Sequence, residues 1–382
     1  MTEIKKYITD NGTTAYKFRA YLGIDERTGK EVKVRRAGIK TKREAKLMLS
    51  KLELEFSKRG FNQLSTSTFE EVYKKWFETY KTTVKESTYS KTEEHFTLHI
   101  LPEIGNIRID RLKTIHVQEA VTKWFNEKLT RYKRFLNYVY RVLDWAYKMQ
   151  IIDDNVASRV IVPVNKEQIK TTKKNYYDLE ELTQFFKCLH DIDNPQADMY
   201  FRLLAFTGMR KGESLALTWN DVNFETSQIS ITKTQSQGEH GRLLITTPKT
   251  DTSNRTVDVD AKTMQMLKAW RIEQHKQLLM LGFNSIKPDQ LVFASIKNKM
   301  HNPIKPRNWL QLVITRFDLK QITVHGFRRT YATLAFESGA TIKEVQAQLG
   351  HANYKTTANI YVEVTKKQSR ETANKFAKYV NI

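Results

Sequence analysis

Four separated stretches in the second half of the chain combine guanidinium, imidazole, ammonium and phenol groups with turn residues. In "FTGMRKGESLALTWNDV", Gly208 makes a break just before Arg210. Glu213 follows three residues later, one helical turn along, where its carboxylate can hold that guanidinium in place. In "TPKTDTSNRTVDV", Lys249 lies in a turn-like stretch between two alternating segments. In "TVHGFRRTYATLAF", His325 and Arg328 stand three apart at a helix start and can face one anion. In "TIKEVQAQLGHANYKTTANIYVEV", Thr341 and Glu344 cap a helix and Gly350 ends it; His351 emerges at the turn before a helix carrying Tyr361. Each has an ordinary alternative: a surface salt bridge, a solvated hairpin lysine, or a half-exposed tyrosine on a terminal helix anchored by Ile360 and Val362. Together they are the inventory for work on a phosphodiester without a metal. Two arginine forks bind the non-bridging oxygens and stabilise charge in the transition state. A lysine or histidine donates a proton to the leaving alkoxide. A phenolate can attack phosphorus, and the covalent phosphotyrosine conserves the bond energy for religation. Thr356, Thr357, Ala358 and Asn359 are poor core formers, which fits a segment that presents Tyr361 rather than packs it.

The composition suits a polyanionic partner. The 382 residues hold 64 Lys+Arg against 42 Asp+Glu, a net charge of +22 spread along the chain. A distributed basic surface is the footprint of a partner with many phosphates, because each neutralised phosphate releases a condensed counterion. The single Cys188 rules out an internal disulfide framework and fits a reducing cytoplasm. The opening "MTEIKKYITDNG" lacks the apolar core of a signal peptide, and no window reaches the ~18 apolar residues of a membrane span. His95 and His99, four apart, have no third ligand in a recognisable motif, so no metal site is expected.

The elements that must position these groups fall into three blocks. Residues 1–60 read as a small sheet followed by one helix: "AYKFRAYLGI" and "EVKVRRAGI" alternate as strands, and the helix runs between Thr41 and Gly60. This block holds 16 basic and 8 acidic residues. A basic sheet carrying Lys33, Arg35 and Arg36 can enter a DNA groove, and a solvated charged face is the alternative. A polar linker over 61–68 leads to a helical module over 69–160. That module opens with a Thr68–Glu71 capping signal and is expected to break at Pro102 and Gly105. Its strongest helix, "RYKRFLNYVYRVLDWAYKMQ", places Phe135, Val139, Val142 and Ala146 on one stripe and Arg134, Arg141 and Lys148 on a largely opposite one. A basic linker over 161–175 precedes the last domain, 176–382. There "QISITKTQ", "GRLLITT" and "NRTVDVD" predict one small antiparallel sheet among helices. The fold class expected is multidomain, mainly α with small antiparallel β-sheets.

The four stretches, in this order, resemble the tyrosine recombinase (phage integrase) family. The family's first arginine falls on Arg210 in "TGMRKGE" with the supporting acid at Glu213, its hairpin lysine on Lys249, and its His-x-x-Arg on His325 and Arg328. Its second histidine falls on His351 in "LGH" and its nucleophile on Tyr361. The similarity is specific over about 175–365. It extends more loosely to "HILPEIGN" and "IDRLKTIHVQ", which look like an integrase core-binding domain, and to the first 60 residues, which resemble the arm-type DNA-binding domain of lambda-like integrases. Gly326 stands where many relatives carry an acidic residue.

The resemblance implies a site-specific recombinase. Arg210 and Arg328 would grip the scissile phosphate and Tyr361 would attack it, forming a 3′-phosphotyrosyl link, with Lys249 as general acid. His325 would assist proton transfer, and His351 would hydrogen-bond the phosphate. Two rounds through a Holliday junction imply a homotetramer on double-stranded DNA with core and arm sites. They also imply an excisionase or host DNA-bending protein as accessory partner, no metal or other cofactor, and work in the bacterial cytoplasm at the nucleoid. The tail "KKQSRETANKFAKYVNI" has two open placements, in cis or on a neighbouring protomer. A type IB topoisomerase shares a similar constellation, and a non-catalytic DNA-binding protein is a further alternative.

Overall fold

The computed structural model describes residues 2–9, 12–24, 31–59, 67–165, 174–247, 254–351 and 353–362. The chain divides into two compact units, Met1–Gln168 and Ile169–Ile382.

The first unit begins with an antiparallel sheet of β1 (Ile4–Ile8), β2 (Thr14–Ile24) and β3 (Glu31–Ile39), in the order β1-β2-β3. Helix α1 (Lys42–Arg59) covers one face, where Phe18, Ala20, Ile39 and Ala45 are buried. Strand β1 escapes the sequence reading because the adjacent Lys5 and Lys6 interrupt its alternation. Side chains alternate across a strand, so burying Phe18 and Ala20 turns Arg19 and Tyr21 outward. The register sets Arg19 opposite Arg35, Tyr21 opposite Lys33, and Lys5 opposite Lys17. Like charges directly opposite destabilise a sheet, so this face carries a charge density that folding does not need.

The helices of this unit are α2 (Phe69–Thr83), α3 (Glu86–His95), α4 (Leu101–Ile104), α5 (Thr114–Asn126) and α6 (Tyr132–Lys148). The Thr68–Glu71 capping box opens α2 as expected. Pro102 does not break the chain. A π-helical turn over Phe96–Ile100 joins α3 to α4, and Pro102 falls in the first turn of α4. There its missing N–H is tolerated, because the π turn has already shifted the hydrogen-bond ladder. The same turn sends Phe96 and Ile100 into a core with Trp76, Trp124, Phe135 and Val139. On α6 the apolar stripe is buried, and Arg134, Arg141 and Lys148 are exposed.

The second unit opens with α7 (Leu179–His190), α8 (Pro195–Thr207) and α9 (Lys211–Leu215). Five short strands follow: β4 (Val222–Asn223), β5 (Gln228–Ile231), β6 (Thr234–Gln237), β7 (Leu243–Thr246) and β8 (Arg255–Asp258). They form two sheets, β4-β5-β8 and β6-β7, where the sequence predicted one. "QISITKTQ" alternates without interruption, but the chain changes sheet at Thr232–Lys233. Lys233 is anchored there, its Nζ 2.8 Å from Asp221 and 2.9 Å from the Thr218 hydroxyl. Helices α10 (Ala261–Met280), α11 (Lys305–Arg316), α12 (Gly326–Glu337) and α13 (Ile342–Leu349) complete the described domain, with a last helix over 354–362. Helix α8 is buried along most of its length, its Tyr200 and Phe201 packed with Phe185, Phe293, Trp309 and Phe327.

Helix α8 ends at Gly208 in the left-handed region, φ +65°. A Cβ there would meet Leu349 Cδ2 at 2.5 Å and Tyr331 Cδ1 at 2.9 Å, so α8 ends against both α12 and α13. Only glycine supplies both the backbone conformation and the close approach. Gly208→Ala is expected to destabilise the protein by about 2 kcal/mol or more, measured by denaturant unfolding; a loss under about 0.5 kcal/mol would show that neither constraint is real.

Candidate active site

Helix α13 ends at Gly350, whose left-handed backbone leaves the last carbonyls pointing out of the helix. Three guanidiniums take three successive ones. Arg255 Nε donates to the Gln348 carbonyl at 2.8 Å, Arg328 Nη2 to Leu349 at 2.6 Å, and Arg210 Nη2 to Gly350 at 3.4 Å. Terminal carbonyls lack intrahelical partners and sit at the negative end of the helix dipole, so cations are favoured there. Arg328 also donates from Nη1 to the Gly208 carbonyl at 2.8 Å, which ties the end of α8 to the end of α13.

Among the described residues Glu213 is the one carboxylate bonded to these guanidiniums, with only 2% of its side chain exposed. Arg210 reaches it with its backbone N–H (2.9 Å) and with Nη1 (2.7 Å). Arg255 reaches it with Nη2 (2.9 Å) and Nη1 (3.3 Å). Burial pushes the Glu213 carboxyl up, but hydrogen bonds and charge from Arg255 and then Arg210 outweigh it and hold the group below its ordinary value. Arg328, 3% exposed, is pushed down to about 9 by burial and by Arg210 and Arg255, against the pull of Glu213. It remains protonated at neutral pH. Among the described residues, three guanidiniums against one carboxylate leave an excess of positive charge in a partly buried site, and a phosphodiester would relieve it.

Both imidazoles face these cations. The His351 pKa is lowered to about 4, first by burial and then by Arg328, Arg210, His325 and Arg255. Its Nδ1 shares a 2.9 Å hydrogen bond with the Thr357 hydroxyl. The His325 pKa is also lowered, by the enclosing protein and by Arg328 and Arg210. His325 keeps part of its surface open to solvent, which weakens both the burial and the charge effect there. Thr357 corrects the sequence reading of its segment: it is 0% exposed and serves as the partner of His351, not as a spacer. Tyr361 lies four residues further along the same helix, 37% exposed, its ring edge-on to Phe336 at 5.2 Å. Phe336 sits eight residues beyond Arg328 on α12, about 12 Å along the axis.

The structure thus brings together Arg210, Glu213, His325, Arg328 and His351, with Tyr361 on the adjoining helix. Lys249 and the tail over 363–382 lie outside the described residues. Sequence reasoning missed Arg255. Its signal was available in "NRTVDVD", where burying Val257 on a period-two strand also turns Arg255 inward. Gly326 has a local cause as well, since a Cβ there would meet the Asn175 carbonyl oxygen at 2.9 Å. In the first unit, Lys33, Arg35 and Arg36 are exposed on β3, Lys33 paired with Glu31. On α6 the Arg141 guanidinium lies 4.9 Å from the Tyr80 ring centroid, and Lys148 is 2.9 Å from Asp144. His95 and His99 both pack against the Phe135 ring, and among the described residues no group of three or more His, Cys, Asp or Glu could hold a metal ion. No described helix is long and apolar enough to cross a membrane.

Residues 175–368 match the family model described as the phage integrase family. The chain belongs to the phage integrase family. Residues 68–125 match the N-terminal SAM-like domain of phage integrases, and residues 4–56 an arm DNA-binding domain. This integrase family chain is 28% identical over 379 residues to a XerC-like tyrosine recombinase of Caldanaerobacter subterraneus subsp. tengcongensis, covering 94% of each. Its fold is similar to that of the Tn1549 transposon integrase in complex with a circular intermediate DNA. That match has a TM-score of 0.65 at 17% identity and covers 80% of this chain and 99% of the other. It is also similar in fold to lambda integrase in a tetramer bound to a Holliday junction, with a TM-score of 0.56 at 15% identity, covering 91% of this chain and 95% of the other.

The lowered His351 pKa has a thermodynamic consequence. The unfolded chain takes up a proton near the ordinary imidazole value of about 6.5, and the folded chain refuses it until about pH 4. Stability should therefore fall as pH drops from about 6.5 to about 4. In His351→Asn, which keeps a hydrogen-bonding group near Thr357, the melting temperature should fall less steeply across that window. Equal slopes in the two proteins would contradict a neutral, cation-facing His351.

Proposed function

We propose that this chain is a site-specific tyrosine recombinase that cuts and rejoins DNA to integrate and excise a mobile element. The observation that carries the reading is the convergence of the Arg210 and Arg328 guanidiniums with two imidazoles, one of them hydrogen-bonded to the helix of Tyr361. Arg210 and Arg328 clamp the non-bridging oxygens of the scissile phosphate and stabilise charge in the transition state. Tyr361 attacks phosphorus, forming a 3′-phosphotyrosyl bond as the bond to the 5′ oxygen breaks. Lys249 delivers the proton to that leaving oxygen. His325 assists proton transfer, His351 donates a hydrogen bond to the phosphate, and Glu213 orients Arg210. The 5′-hydroxyl of a partner duplex then attacks the phosphotyrosine and restores the phenol, so no external energy source enters.

The domain division follows the same reading: an arm-binding domain over 1–60, a core-binding domain over 69–160 and a catalytic domain over 176–382. The outward basic face of β1–β3, with Lys33 and Arg35, takes arm-type DNA, and Arg36 contacts its backbone. The α6 stripe of Arg134, Arg141 and Lys148 takes the core site. The lambda integrase tetramer on a Holliday junction supports four protomers acting on two sites, with an excisionase or a DNA-bending protein setting direction. The working compartment is the bacterial cytoplasm, at the nucleoid.

Purified protein and a pair of duplexes carrying the ends of the element that encodes it should yield strand-exchange products, and Tyr361→Phe should yield none. Relaxation of a supercoiled plasmid lacking those ends, as fast as any exchange, would instead favour a topoisomerase. Exchange retained by Tyr361→Phe would sink the assignment of the nucleophile.

A further inference from the structure

Arg255 is almost sealed from solvent, its side chain 6% exposed, and what sets it apart from the equally buried Arg328 is that it spends Nε, Nη1 and Nη2 on protein acceptors. Its donors are directed inward: Nη1 and Nη2 to the two oxygens of Glu213, and Nε to the Gln348 carbonyl. Glu213 already receives the backbone N–H and Nη1 of Arg210, so a second guanidinium adds repulsion to an electropositive cluster without being needed to neutralise the carboxylate. Arg210 keeps 37% of its side chain exposed. If Glu213 depended on Arg210 alone, a phosphate drawing that guanidinium outward would pull on the only group fixing the carboxylate. Arg255 also fixes the first of the three carbonyls whose successors receive Arg328 and Arg210, directly before His351.

We propose that Arg255 is a positioning residue of the active site: it anchors Glu213 and the Gln348 carbonyl so that Arg210 and His351 hold their places while Arg210 engages phosphate. This rests on the recombinase reading. It concerns a residue that acts through Glu213 and never touches the reacting atoms.

The test uses full-length protein and a nicked duplex carrying the joined element ends, on which cleavage traps a covalent adduct. Adduct formation is timed at saturating DNA, and DNA affinity is measured separately. Arg255→Met should slow adduct formation by about 10²-fold with affinity unchanged within about twofold. Arg255→Lys, which can reach Glu213 or Gln348 but not both, should lose about tenfold. Adding Arg255→Met to Glu213→Gln should cost no more than about threefold beyond the slower single variant, because both act through one carboxylate. Wild-type rates in Arg255→Met, fully multiplicative losses in the double variant, or a parallel loss of affinity would each overturn the proposal. If Arg255→Met does not fold, shown by a collapsed melting transition, Arg255→Lys decides: wild-type rates overturn the proposal, and the tenfold loss sustains it. A wild-type chain that forms no adduct fails the recombinase reading itself, an outcome distinct from failure of the Arg255 variants alone.

Discussion

Three positive charges meet the carbonyls of Gln348, Leu349 and Gly350, and the geometry of the second unit's site follows from that contact. A helix C-terminus presents unpaired acceptors and a negative dipole end, so it can hold several guanidiniums that would otherwise repel one another. Each arginine comes from a different element: Arg210 from the start of α9, Arg255 from β8, Arg328 from α12. Gly208 lets α8 end close enough for its carbonyl to join the network. The chain leaving α13 is thereby fixed at Gly350, and His351 and Thr357 carry that fix toward the helix of Tyr361.

Burial divides the cluster. Glu213, Arg255 and Arg328 are buried, with Glu213 bonded to Arg255, whereas the Arg210 side chain and Tyr361 each keep 37% of their surface open. Burial first, and then the excess of guanidinium over carboxylate, lowers the pKa of both imidazoles, and that same excess is of the sign that a phosphate relieves. Charge follows a related logic in the first unit. Arg19 faces Arg35 and Lys5 faces Lys17 across β-ladders that would fold better without those pairs.

Much of this was legible in the sequence because it rests on local chemistry. Gly208 before Arg210, the Thr341–Glu344 capping box and Gly350 before His351 are short-range signals, and each fixes a backbone event beside a candidate residue. What was missed depends on tertiary contact or on a local pattern with two readings. Arg255 looks like one more basic residue near a hairpin until β8 pairs with β5 and turns it toward Glu213. Thr357 looks like a spacer until His351 claims its hydroxyl. Pro102 reads as a helix breaker because a π turn leaves no composition signal, and β5 and β6 read as one strand because the change of sheet at Lys233 keeps the alternation.

On this reading the carbonyl-anchored guanidiniums Arg210 and Arg328 aim their remaining donors at a single phosphoryl group. A crystal structure of the full chain with orthovanadate, whose geometry mimics phosphoryl transfer, tests it most directly. The predicted result is one vanadate bound between Arg210 and Arg328, with His325 and His351 in hydrogen-bond reach and the bonds to Gly208, Leu349 and Gly350 retained. Vanadate bound elsewhere, or bound only after Arg328 has left those carbonyls, would contradict the account.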